Sequence, residues 1–224
     1  MLSIPKILNF LNFTAHFTAP SSDAEQPIRA EFFSAERLEQ HAESLAAEQA
    51  VFATPKAGYN LAARVRENGR VLLAGYNAIA EAARQQRAIT PAAEWLLDNF
   101  HVVENQLREI HDQLTPRFYR ALPKLSSGPF VDYPRVYGVA WAYVAHTDSH
   151  FDAPLLGRFL HAYQRVQPLT TAELWALPII LRCVMIENLR RLSVRVVNSQ
   201  NHRLSADKFA DELLALAGQA PQSR

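Results

Sequence analysis

The chain has 224 residues, enough for one sizeable domain with or without a tail. Hydrophobic residues make up 49% and charged residues 20%, an ordinary globular composition, and only 7 residues are Gly. The formal net charge is +1, with no clustered basic footprint, so nucleic acid is not an expected partner.

The N-terminal stretch is apolar but not a membrane span. Its longest charge-free run, Ile7 to Ser22, is broken by Asn9, Asn12, Thr14, His16 and Thr18, whereas a span needs about 20 mostly apolar residues. Lys6 ahead of that run gives it the look of a weak signal peptide with a poor cleavage site. Two other readings stay open: a loosely docked arm, or an interfacial helix using Ile4, Ile7, Leu8 and Leu11. Pro20, Ser21, Ser22 and Pro27 then mark a linker, so residues 1–30 form an arm and linker ahead of a helical domain over 31–217.

Ser34 is a good N-cap, and Leu38, His41, Leu45 and Ala46 follow at helical spacing until Pro55 and Gly58. A second helix runs from about Asn60 to Gln86 with the stripe Leu61, Val65, Leu72, Tyr76, Ile79, Ala83. Thr90 and Pro91 open a third, which reads Trp95, Leu96, Phe100, Val103, Leu107, Ile110 and closes at Thr115-Pro116.

Residues 115–134 hold Pro116, Pro123, Gly128, Pro129 and Pro134, and read as one long irregular loop. Such loops are usually functional or disordered. Leu122, Leu125, Phe130 and Tyr133 make this one too apolar for disorder. It is expected either to cover the bundle core and do no more, or to pack on the neighbouring helices and present Lys124 and Arg135 outward as an interaction surface, beside a face bearing Asp98 and His101.

A fourth helix runs from Pro134 to about Asp148, and a fifth from Asp152 to before Pro168. Thr170 and Glu173 match a capping box for a sixth, which reaches about Asn198 with a kink expected at Pro178. Ser205 is read as the cap of a seventh, and residues 218–224 as a fraying tail. No alternating strand and no fixed repeat is visible. The expected fold is all-α: a bundle of about seven helices with one long Pro-rich loop.

Several polar sets invite a chemical reading. His146 and His150 are spaced to chelate a metal from one helix face, but no third ligand stands at a defined spacing, so no bound metal or other cofactor is expected. Asp98 and His101 form a single carboxylate-x-x-His pair, whereas di-iron bundles use that pair twice. Glu187, Asn188, Arg190 and Arg191 sit among apolar residues and suit interhelix ion pairs or an anion clamp. Cys183, the single cysteine, lies in an apolar run and reads as a core residue. Among the aromatics, Tyr133, Tyr137, Trp141 and Tyr143, with Trp95 and Trp175, suit core packing or a sugar platform. Glu94, Asp98 and Glu187 are the carboxylates to inspect for glycosidase chemistry, which needs two of them across one cleft.

Long ordered runs carry a resemblance: Ala88 to Phe100 (AITPAAEWLLDNF), Tyr119 to Leu125 (YRALPKL), Tyr133 to Tyr137 (YPRVY), Ala145 to Asp148 (AHTD), Tyr163 to Leu169 (YQRVQPL), Glu173 to Pro178 (ELWALP) and Glu187 to Leu192 (ENLRRL). They resemble the N-terminal region of cyclic β-1,2-glucan synthases, large bacterial inner-membrane proteins, over about Phe32 to Leu214. The resemblance implies a connection with glucan synthesis from UDP-glucose. The chain has neither the Asp-x-Asp nor the Gln-x-x-Arg-Trp expected of a processive glycosyltransferase core. It is therefore expected to be a non-catalytic fragment or scaffolding and regulatory module, partnered by the remainder of a synthase or its membrane domain at the cytoplasmic face of the inner membrane. The alternative is a stand-alone helical domain that binds or hydrolyses a sugar or holds a metal.

Overall fold

The structure, a computed structural model, describes residues 26–218. The N-terminal arm through residue 25, with its signal-peptide and interfacial-helix readings, and the tail beyond residue 218 lie outside the described residues. Among the described residues there are seven helices: α1 (Ala35–Glu48), α2 (Leu61–Arg84), α3 (Pro91–Gln113), α4 (Pro116–Ala121), α5 (Arg135–His146), α6 (Ala153–Val166) and α7 (Thr171–Gly218). Among the described residues there is no strand, only two isolated β-bridges, Val51 with Leu125 and Lys124 with Pro134. The fold is all-α.

The helix starts follow local chemistry. The first amide donors of a helix lack internal partners, and short polar side chains supply them. The Ser34 hydroxyl accepts from the Arg37 amide, Asn60 Oδ1 from Ala63, Thr90 Oγ1 from Ala93, Thr115 Oγ1 from Phe118 and Asp152 Oδ1 from Leu155. At α7 the capping box is complete: the Thr170 amide donates to Glu173 Oε2 at 2.9 Å and the Glu173 amide to Thr170 Oγ1 at 3.2 Å.

Helix α5 organises the rest. It is buried on almost every side, from Arg135 through Ala145 with only Trp141 partly open, the signature of a helix enclosed by others. One side, with Val136, Tyr137, Ala140 and Val144, joins the main core built with α2, α3 and α7. Its other side, with Val139, Ala142 and Tyr143, joins a smaller core with Leu38 and Ala42 of α1 and Phe159, Ala162 and Tyr163 of α6. Helices α1 and α6 run parallel, since Glu39 meets Arg158 and Glu43, four residues on, meets Arg165. Helices α2 and α3 form an antiparallel hairpin, with Gly69 against Leu107 and Tyr76 stacked on Phe100. Helix α7 runs parallel to α2: Arg64 faces Glu187, and Gly75 faces Ser193 and Val197.

Three sequence expectations change. The sixth and seventh predicted helices are one 48-residue helix, α7. Ser205 does not cap: its hydroxyl donates back to the Asn201 carbonyl inside the helix, a bond that relieves Ser of its preference for a helix start. The segment 115–134 is not wholly irregular, because Thr115 and Pro116 start the short helix α4. Finally, residues 26–30 are not a free linker. Ile28 is buried, its amide donates to Asn188 Oδ1 at 2.6 Å, and the Ala30 amide donates to the Ala145 carbonyl.

The loop between α1 and α2 is fixed by one glycine. Gly58 has φ +71, and a Cβ there would lie 2.5 Å from the Asp132 carbonyl oxygen and 2.7 Å from Lys124 Cε. Gly58→Ala should therefore combine left-handed strain with a backbone clash and lower stability by about 1–3 kcal/mol. Thermal melts followed by circular dichroism check this; an unchanged Tm would contradict the packing described.

Candidate functional site

The polar residues singled out from the sequence are drawn mostly inward. Glu187, in mid-α7, is 2% exposed. The guanidinium of Arg64 donates from Nε to Glu187 Oε2 and from NH2 to Oε1, both at 2.9 Å. Asn68 Nδ2 donates to Oε2 at 2.8 Å, Arg191 Nε to Oε1 at 2.9 Å, and Arg190 to Oε1 at 3.2 Å. Burial alone would raise the Glu187 pKa, but the Arg64 fork and the Arg190 and Arg191 charges prevail and hold it down at about 2. A carboxylate so held stays ionised, so it cannot serve as a glycosidase general acid. Glu94 and Asp98 lie on the exposed side of α3, so the three inspected carboxylates do not share a cleft wall.

A second buried pair sits at the start of α7. Arg135 donates from Nε to Glu173 Oε1 at 2.8 Å and from NH2 to Oε2 at 2.6 Å, and NH2 also reaches the Pro168 carbonyl at 3.0 Å. The same Glu173 closes the capping box, so one carboxylate satisfies an exposed helix start and a buried guanidinium together. Glu173 is 0% and Arg135 is 4% exposed. The expectation that Arg135 points outward is thus corrected: it is the first residue of α5 and turns into the core, where a bidentate partner makes burial tolerable.

Lys124 is corrected in the same way, at 2% exposed. Its stem lies against Gly58, and its ammonium donates to the Tyr119 and Leu122 carbonyls at 2.7 and 2.6 Å while standing 4.5 Å over the Tyr119 ring. Those carbonyls end α4, where a cation is favoured. Burial brings the Lys124 pKa down to about 8, against a smaller opposing pull from Glu173. The surrounding loop is tightly paired: the Leu125 amide donates to the Tyr133 carbonyl and the Asp132 amide to the Leu125 carbonyl, while the Phe52 and Ser126 amides donate to the Lys124 and Ala50 carbonyls. Its aromatics also turn inward. Phe130 packs on Tyr133, Tyr137 and Trp141 at centroid separations of 5.9, 5.6 and 5.0 Å. Asp98 and His101 remain exposed on α3.

His146 and His150 are separated by the end of α5. The helix stops at His146, and Asp148 and Ser149 take left-handed φ of 50 and 64. The His146 ring stacks on Phe33 at 3.9 Å, with Nδ1 2.8 Å from the Glu31 carbonyl, while His150 is exposed. Among the described residues no group of three His, Cys, Asp or Glu side chains is placed to hold a metal ion. Cys183 is buried, which pushes its thiol pKa up to about 12. Among the described residues no helix is long and apolar enough to cross a membrane.

One concave feature escaped the sequence reading. Residues Gln26–Ala30 lie beside α7 and the end of α5, leaving a groove of about 820 Å³. Trp141, Ser149, Asn188, Arg191 and Arg195 line it together with Arg29 and Asp148. Arg191 is held over the Trp141 ring at 5.0 Å and donates to the Gln26 carbonyl at 2.8 Å. Asn188 bridges the strap and the turn, accepting from Ile28 and donating to Ser149 Oγ at 2.8 Å. A signal for the Glu187 cluster did exist. Arg64 and Asn68 flank Val65 on the buried stripe of α2, and a polar residue on an apolar stripe requires a buried partner.

Fold and site together define an all-α bundle keyed by buried arginine–carboxylate pairs. No protein-family model matches the chain. Over 200 residues, 88% of its length, the chain is 42% identical to cyclic β-(1,2)-glucan synthase NdvB of Rhizobium meliloti (strain 1021), and it spans 7% of that protein. The resemblance to a cyclic β-1,2-glucan synthase is therefore real at the level of one segment.

The two displaced pKa values have testable consequences. Glu187 titrates lower in the folded chain than the ordinary Glu value of about 4.3, so the unfolded chain binds more protons as the pH falls from there toward 2. Roughly 3 kcal/mol of stability is lost across that window. Glu187→Gln should be less stable than the parent at pH 7 by about 3–5 kcal/mol. Urea titrations should show that gap narrowing at pH 3, and a gap equal at both pH values would refute the assignment. Lys124 titrates lower when folded, so stability gains a rising component between pH 8 and about 10.4. Lys124→Met should lack that component in the same titrations.

Proposed function

We propose that the chain is a non-catalytic helical module of the cyclic β-1,2-glucan synthase kind, supporting or regulating a catalytic core on another part of the polypeptide or on another chain. The observation that carries this reading is where three of the runs that resemble a glucan synthase fall. YPRVY contains Arg135, ELWALP opens with Glu173, and ENLRRL contains Glu187, Arg190 and Arg191. Arg135 pairs with Glu173 between α5 and α7, Glu187 pairs with Arg64 between α7 and α2, and Arg190 and Arg191 brace Glu187 from within α7. The similarity therefore favours a rigid support rather than a reaction centre. The small share of the relative that is matched, 7%, fits the same view, with the remainder of a synthase as the partner. A place at the cytoplasmic face of the inner membrane belongs to this reading. The face bearing Asp98 and His101, next to the Pro-rich segment, is its candidate contact surface, with Lys124 and Arg135 acting from beneath as internal braces.

Two assays test it. The purified chain incubated with UDP-glucose should form no glucan above a boiled control. A synthase from which the matching segment is deleted should lose most of its activity or its stable assembly, and co-expression of this chain should restore part of it. Glucan made by the chain alone, or a deletion with full activity, would overturn the proposal.

A further inference from the structure

We infer that the groove beneath residues Gln26–Ala30 is a binding site for a phosphate ester. Three guanidiniums, Arg29, Arg191 and Arg195, line it against one carboxylate, Asp148. Among the described residues the Asp148 side chain is engaged only with Arg29 Nε, at 3.3 Å, which leaves the terminal fork of Arg29 off this pair. Arg195 is exposed and forms no ion pair among the described residues. It stands one turn beyond Arg191, so both project from the same side of α7. Planar guanidinium forks match phosphate oxygens in pairs, which a lysine ammonium does not.

The groove is also built rather than incidental. Arg191 is fixed by three constraints, Glu187, the Gln26 carbonyl and the Trp141 ring, so little of its freedom remains to be lost on binding. Its wall at Asp148 and Ser149 is two consecutive non-glycine residues in left-handed backbone, a strained arrangement that persists only when its surroundings enforce it. Asn188 and Ser149 add an amide and a hydroxyl, and Trp141 an indole, as contacts for the polar body of the ester. A volume of about 820 Å³ lies within the usual range for small-ligand sites. The ester can be free, as in a sugar phosphate, or part of a lipid headgroup, and Leu192 at the lip suits either. The assignment stands independently of the glucan-synthase reading.

The test uses the full chain and an Arg29→Gln/Arg195→Gln variant. Both side chains are exposed, so the melting temperature should stay unchanged. Isothermal titration with glucose 1-phosphate addresses the free source, and co-sedimentation with phosphatidylglycerol against phosphatidylcholine vesicles addresses the headgroup. Saturable binding in either arm, weakened at least tenfold by the variant, supports the site and names its source. Failure of the parent chain to bind in both arms, or binding that the variant leaves unchanged, overturns it.

Discussion

A single buried carboxylate, Glu187, determines how the long helix α7 sits in the bundle. Taking a carboxylate out of water costs several kcal/mol, and leaving one unpaired is not sustainable. Here the cost is offset by a bidentate guanidinium from α2, an amide from the same helix, and two further guanidiniums from α7 itself. Apolar packing between α2 and α7 would tolerate a slip along the helix axis, but the Arg64 fork would not. Arg191 then extends the network to the Gln26 carbonyl, so the register of α7 also fixes the strap that borders the groove.

The Arg135–Glu173 pair does the same work at the other end. Glu173 is committed to the helix start by the capping box, and Arg135 is committed to the start of α5. One ion pair thus joins the first turns of two helices that share the main core. With both buried carboxylates of α7 paired to arginine, the buried charged residues of the runs YPRVY, ELWALP and ENLRRL are structural in their contacts. That is the physical basis for reading the chain as a support. The groove differs, because Arg195 and the Arg29 fork face solvent rather than one another.

Helix starts were legible because they depend on neighbours in sequence. Ser34, Thr90 with Pro91, Asp152, and Thr170 with Glu173 each cap within three residues, so spacing alone located them. The all-round burial of α5 was partly legible in its unbroken apolar composition. What could not be read depends on distant partners. Ser205 resembles a cap, but its hydroxyl can equally bond back within a helix. Lys124 and Arg135 look like surface cations until Gly58 and Glu173 are placed against them. Ile28 stands in a polar stretch with no period, and only Asn188, 160 residues away, reveals that it is docked. The groove is assembled from three segments of this kind, so no local pattern announced it.

The most direct test of the account is the coupling between Arg64 and Glu187. Arg64→Met, Glu187→Met and the double variant, unfolded in urea at pH 7, give that energy as the non-additive part of the stability changes. The account predicts a coupling of about 2–3 kcal/mol; Arg190 and Arg191 lose their carboxylate in both Glu187→Met and the double variant, so that cost cancels from the coupling. Additive losses, with a coupling near zero, would show that the Arg64 fork does not fix α7 against α2 and would contradict the account.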